Sequence, residues 1–166
     1  MRHYNVLFLC TGNSARSILA EVLLAQLGGE RFRAYSAGSQ PKGSVNPGAI
    51  AQLERVGLPV AGLSSKSWEV FTGDDAPTMD LIITVCDSAA GDACPIWPGH
   101  PATAHWGIAD PAALPTGSPE AAAAFHKAFM ELEQRIRLLI ALPDACLDHL
   151  VAAEALAAIH RDVCGS

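Results

Sequence analysis

Apolar residues follow two rhythms along this chain. Short runs that are apolar on both faces predict buried strands of a parallel sheet. Tyr4 to Leu9 and Leu81 to Val85 ("LIITV") are of this kind. Longer stretches with apolar residues three and four apart predict helices. Ser17 to Leu27 is the first, with Ile18, Leu19, Val22, Leu23 and Leu27 in register and Gly28-Gly29 as its stop. Phe32 to Ala37 predicts a second strand, ended by Gly38. Asn46 as N-cap and Pro47 in the first turn open a helix to Val56, and Gly57 closes it. Lys66 to Phe71 predicts a short helix followed by a loop. Residues 86 to 102 and 107 to 117 carry the Gly and Pro of loops, and Ala102 to Trp106 predicts a fourth strand at the sheet edge. Ser118 and Pro119 open a long helix to about Leu142. Its core stripe is Phe125, Phe129, Leu132, Ile136, Leu139 and Ile140. A last helix runs from Asp144 to about His160, with Cys146 on its packed face.

Strands alternating with helices in this order predict an α/β fold, a four-stranded parallel sheet with helices on both faces. No repeat or linker divides the chain, so residues 1–166 are expected to form one domain. Its core spans about 4–142, with an extra C-terminal helix at about 144–161. In such folds ligands bind beyond the carboxyl ends of the strands. Cys10 and Cys86 are expected there, with Asp110 just past the fourth strand.

Composition narrows the function. Half of the 166 residues are hydrophobic, enough for a full core without disulfides or metal. The net charge is −6, from 11 basic and 17 acidic residues, with no basic stretch. A nucleic-acid or anionic-membrane surface is therefore not expected, and an anionic substrate needs a local site of its own. No secretory signal and no apolar run of transmembrane length is visible, so a cytoplasmic protein is expected. Five cysteines, at 10, 86, 94, 146 and 164, suit reactive or buried thiols better than a disulfide framework.

The chemistry gathers in "VLFLCTGNSARS". Cys10 and Arg16 frame Thr11, Gly12, Asn13, Ser14 and Ala15, a C-x5-R spacing followed by Ser17. Small residues between a strand and a helix let successive backbone N–H groups converge on an anion, and the helix start adds its positive end. Arg16 offers a planar fork to a tetrahedral oxyanion. The same field favours the Cys10 thiolate, and Ser17 can donate to the sulfur. The loop is not a nucleotide-binding P-loop, because no Gly-Lys-Ser/Thr follows. Asp110-Pro111 sits on a far loop, where a carboxylic acid can serve a leaving oxygen; alone, the pair reads as a turn.

The motif resembles the low-molecular-weight tyrosine phosphatase superfamily, which includes a branch of arsenate reductases. The resemblance covers roughly residues 4 to 142. It implies Cys10 as nucleophile, Arg16 as oxyanion clamp, and Asn13 and Ser17 as residues that shape the loop and hold the thiolate. It implies Asp110 as general acid. Phosphatases of the superfamily typically follow the Asp-Pro pair with aromatic residues; this chain has Ala112-Ala113.

Cys86 closes the third predicted strand and Cys94 follows eight residues later. A thiol at the sheet edge near Cys10 can attack an adduct on it, and a second can carry the oxidation outward. Inert buried cysteines are the plainer alternative, and zinc lacks a CxxC or a second ligand pair. "AGSQPKG" (37–43) and "ITVCD…ACP" resemble the arsenate reductase branch. That branch implies reduction of arsenate to arsenite, a Cys10–Cys86 disulfide, then a Cys86–Cys94 disulfide reduced by thioredoxin. Glutaredoxin or a low-molecular-weight thiol could serve the same step. No tightly bound cofactor is implied, though some members bind potassium beside the loop. Asn13, Glu21 and Ser36 match its ligands, while Lys66 stands in the stretch where a fourth, a carboxylate, is expected. Two other functions use the same loop: a phosphatase acting on phosphoryl esters, which needs neither Cys86 nor Cys94, and a non-catalytic oxyanion or redox sensor.

Overall fold

A computed structural model describes residues 3–85, 101–115 and 117–151. Four parallel strands form the sheet: β1 (Tyr4–Cys10), β2 (Phe32–Gly38), β3 (Leu81–Thr84) and β4 (Ala102–His105). Their order is β2-β1-β3-β4, so β1 is central and β4 lies at an edge as predicted. Centrality explains why β1 is apolar on both faces, with Val6, Leu7, Phe8 and Leu9 all buried. The α-helices are α1 (Arg16–Leu27), α2 (Pro47–Arg55), α3 (Pro119–Ile140) and α4 (Asp144–Val151).

Alternation along β1 divides the core. Val6 and Phe8 face one cluster, which α1, α2 and α3 supply with Leu19, Leu23, Leu53, Phe125, Leu132 and Ile136. Leu7 and Leu9 face the other, with Ile82, Met79 and Phe71. Helical cover is thus unequal. The second face carries, among the described residues, the single 3-10 turn Trp68–Phe71, capped by the Ser67 hydroxyl. This turn is the short helix predicted over 66–71, confined to Trp68–Phe71.

The predicted caps are in place. Asn46 accepts from Gly48 N at 2.8 Å and Ser118 from Ala121 N at 3.1 Å. Gly48 is also a packing residue, because a Cβ there would stand 2.3 Å from the Phe125 ring of α3. The end of α3 is closed from afar: Arg31 donates to the Ile140 and Leu142 carbonyls at 2.9 Å each and to Asp144 at 2.7 Å. The Tyr4 hydroxyl donates to Asp148 at 2.9 Å, which ties α4 to the start of β1. One expectation is corrected. Cys146 is exposed, because Leu147, one residue and about 100° further round the helix, takes the packed face. Cys86, Cys94, Cys164 and the predicted end of the last helix lie outside the described residues. Among the described residues no helix is long and apolar enough to cross a membrane.

Candidate active site

β1 ends on buried Cys10 and α1 begins at Arg16, so the intervening loop sits at the carboxyl edge of the sheet, where the sequence places it. Four of its carbonyls accept from neighbouring segments. Cys10 O accepts from Ser39 N at 3.3 Å, Thr11 O from Gln40 N at 2.9 Å and Ser14 O from Asn46 N at 2.8 Å. Gly12 O accepts from Lys42 N at 3.0 Å and from the Ser65 hydroxyl at 2.9 Å. No acceptor among the described residues takes the amides of Gly12 to Arg16. The Ala15 side chain gives α1 no cap, so the positive end of the helix also stays available. A loop with most of its carbonyls engaged elsewhere and its amides uncommitted is suited to receive an anion.

Asn13 sets that shape. It is fully buried with φ 45°, a left-handed conformation that asparagine tolerates better than most residues. Its Nδ2 donates to Ser17 Oγ at 2.8 Å, and its Oδ1 accepts from Lys66 N at 2.9 Å. Ser17 is buried too, and accepting from Asn13 leaves its hydroxyl proton for another acceptor. Gly38, paired with Cys10 across β1 and β2, is the wall behind the loop. A Cβ on it would lie 2.5 Å from Thr11 O and 3.0 Å from Asn13 N, so no side chain fits.

Arg16 joins the two distant parts of the predicted site. Its Nη1 donates to Ile108 O at 2.8 Å, and its Nη2 lies 3.7 Å from Asp110 Oδ2. Its buried Nε has no hydrogen-bond partner among the described residues. Asp110 caps the turn at Pro111–Ala113, accepting from Ala112 N at 2.9 Å, and stays half-exposed. The Cys10 loop, Arg16 and Asp110 therefore converge, whereas Cys86 and Cys94 lie outside the described residues. An oxyanion seated on the loop would compete with Asp110 for Nη2.

Beside the loop, Glu21 Oε1 accepts from the Ser36 hydroxyl at 2.8 Å and lies 3.9 Å from Lys66 Nζ. Burial pushes the Glu21 carboxyl above its ordinary range, against the opposing pull of Lys66 and of the Ser36 hydrogen bond. Burial likewise pushes the Lys66 ammonium down, against Glu21. Sequence reading missed Gly38, the Ile108 carbonyl and the bracing role of Lys66. Gly38 carried a faint signal as a glycine ending a strand; the other two are contacts between distant segments.

The convergence of a buried strand-end cysteine, a loop of uncommitted amides and an arginine six residues on has a counterpart among known proteins. The low molecular weight phosphotyrosine protein phosphatase family matches residues 5–152. The chain belongs to that family. Within it, an arsenate reductase of Bacillus subtilis is 35% identical over 137 residues, covering 82% of this chain and 95% of the relative. A solved thioredoxin-dependent arsenate reductase of Corynebacterium glutamicum superposes with TM-score 0.61 at 28% identity, over 83% of this chain and 60% of that one. The tyrosine phosphatase Wzb of Escherichia coli K30, solved with sulphate, superposes with TM-score 0.65 at 25% identity, over 83% of this chain and 96% of that one. This member of the phosphatase family thus shares its fold with both reductases and phosphatases.

Proposed function

We propose that the chain is an arsenate reductase that converts arsenate to arsenite and is regenerated by a dithiol protein of the thioredoxin type. The observation that carries the reading is the Arg16 guanidinium fixed to Ile108 and facing Asp110, which brings the Cys10 loop and the Asp110 turn together. The reductase relatives support the choice of substrate. So does the Pro111–Ala113 turn, which carries Ala112 and Ala113 and so adds no aromatic wall for a phosphotyrosine ring.

In this reading the loop amides and Arg16 hold the arsenate oxygens, and the Cys10 thiolate attacks arsenic. An S–As bond forms and an As–O bond breaks. The departing oxygen leaves as water, with a proton supplied from the Asp110 side. A Cys86 thiolate then attacks the Cys10 sulfur. The S–As electron pair stays on arsenic, which falls from the +5 to the +3 state and leaves as arsenite. The two sulfurs lose one electron each and form the Cys10–Cys86 disulfide. Cys94 attacks Cys86, which frees Cys10 and leaves a Cys86–Cys94 disulfide for the external dithiol.

The test is arsenate-dependent NADPH oxidation with thioredoxin and its reductase, wild type against Cys86→Ser. Sustained turnover in the wild type and at most one event per molecule in the variant is expected. No turnover with thioredoxin or glutaredoxin would move the family's other reading, phosphoryl ester hydrolysis by Cys10, Arg16 and Asp110, into first place.

A further inference from the structure

The three residues that resemble potassium ligands are already tied into a set of contacts that ends on a lysine. Asn13 Oδ1 accepts from the Lys66 amide, and Asn13 Nδ2 points a donor at Ser17. The Ser36 hydroxyl spends its proton on Glu21 Oε1. That same carboxylate oxygen has the Lys66 ammonium 3.9 Å away, and Lys66 Nζ is held in place by the Ser64 carbonyl at 2.9 Å. Lys66 is further fixed through its backbone. Its amide meets Asn13, and its carbonyl accepts from Gly38 N at 2.9 Å. One residue thus touches the loop, the strand behind it and the buried acid of α1. A metal ion beside Glu21 would face a tethered positive charge across a few ångströms.

We infer that Lys66 is a built-in counter-cation for Glu21, so that this chain braces its anion loop without a bound monovalent metal. Lys66 is a positioning residue here; it acts on the loop through Asn13 and Glu21. The inference goes beyond the proposed reaction, and its test does not depend on turnover.

The test is thermal melting in potassium, sodium or N-methylglucamine chloride at equal ionic strength, for the wild type, Lys66→Arg and Lys66→Met. The wild type and Lys66→Arg should melt at one temperature in all three salts. Lys66→Met should melt about 2–4 °C lower in N-methylglucamine, the shift that a modest loss produces in a domain of this size. Potassium or sodium should restore part of that loss. A potassium-specific rise in the wild-type melting temperature overturns the inference. So does a Lys66→Met protein indifferent to all three cations, because the ammonium would then have been neutralising nothing a metal can reach. If Lys66→Met does not fold, Glu21→Gln combined with it decides. Restored folding assigns the loss to an unpaired Glu21 charge, and continued failure overturns the inference.

Discussion

Replacing Asn13 by alanine removes two hydrogen bonds at a fully buried position. Each is worth about 1 kcal/mol net, and the cost rises where a partner is left unsatisfied. The two partners are unequal. The Ser17 oxygen loses a donor but keeps its own proton to give, whereas the Lys66 amide loses its acceptor. Alanine must also hold the left-handed φ of 45°, which costs it about 1 kcal/mol more than glycine. The sum is about 3 kcal/mol for Asn13→Ala and about 2 kcal/mol for Asn13→Gly. For a chain of this size the alanine protein should melt roughly 6–12 °C below wild type. Asn13→Asp keeps the Lys66 contact and can receive the Ser17 proton, so it should lie between wild type and glycine. Urea unfolding of the four proteins gives the free energies directly. Two results would refute the reasoning. Alanine within about 0.5 kcal/mol of wild type would mean the hydrogen bonds contribute nothing net. Full recovery by glycine would mean that backbone strain alone was being relieved.

Further expectations concern Arg16 and Arg31. Lysine in place of Arg16 has one nitrogen, which cannot both hold Ile108 O and present a fork to an oxyanion. Arg16→Lys should keep its melting temperature within a few degrees, yet weaken phosphate binding, measured by titration calorimetry, roughly 10- to 100-fold, the worth of one lost charge-assisted hydrogen bond. Arg31→Ala removes two donors from the last carbonyls of α3 and one partly exposed ion pair. Screening makes the ion pair worth little, so the two carbonyl bonds, about 1 kcal/mol each, dominate a loss of about 2 kcal/mol. Asp144→Ala should therefore cost clearly less than Arg31→Ala in the same urea titration.

The legible parts of this molecule are those encoded by neighbours in sequence. Caps at Asn46 and Ser118, the glycine stop after Leu27 and the alternation of Val6, Leu7, Phe8 and Leu9 act within a few residues, so the elements they define fall within a residue or two of expectation. The loop from Cys10 to Arg16 was legible for the same reason. The Arg31 closure of α3, the Gly38 wall and the Arg16–Ile108 bond are contacts between segments far apart in the chain, and no local pattern announces them. Cys146 shows the converse limit. An apolar neighbourhood in sequence gave it the wrong side of a short helix, because Leu147 occupies the packed side instead. Lys66 read as an obstacle to a cation site; only its position beside Glu21 shows which charge it answers.

The bond between Tyr4 and Asp148 spans 144 positions and clasps the first strand to the last described helix. Closing so long a loop early in folding would be unfavourable, yet closure entropy grows only with the logarithm of length. Once β1, β3 and α3 have docked, the two partners are already neighbours, and the clasp adds a local bond to a finished frame. It should form late and release early. In amide exchange, the backbone of α4 would open on its own, while Leu7 to Leu9 at the centre of the sheet would exchange only when the whole domain unfolds. The molecule would then loosen first where α4 meets the start of β1, while the anion loop, anchored on the central strand, stays intact.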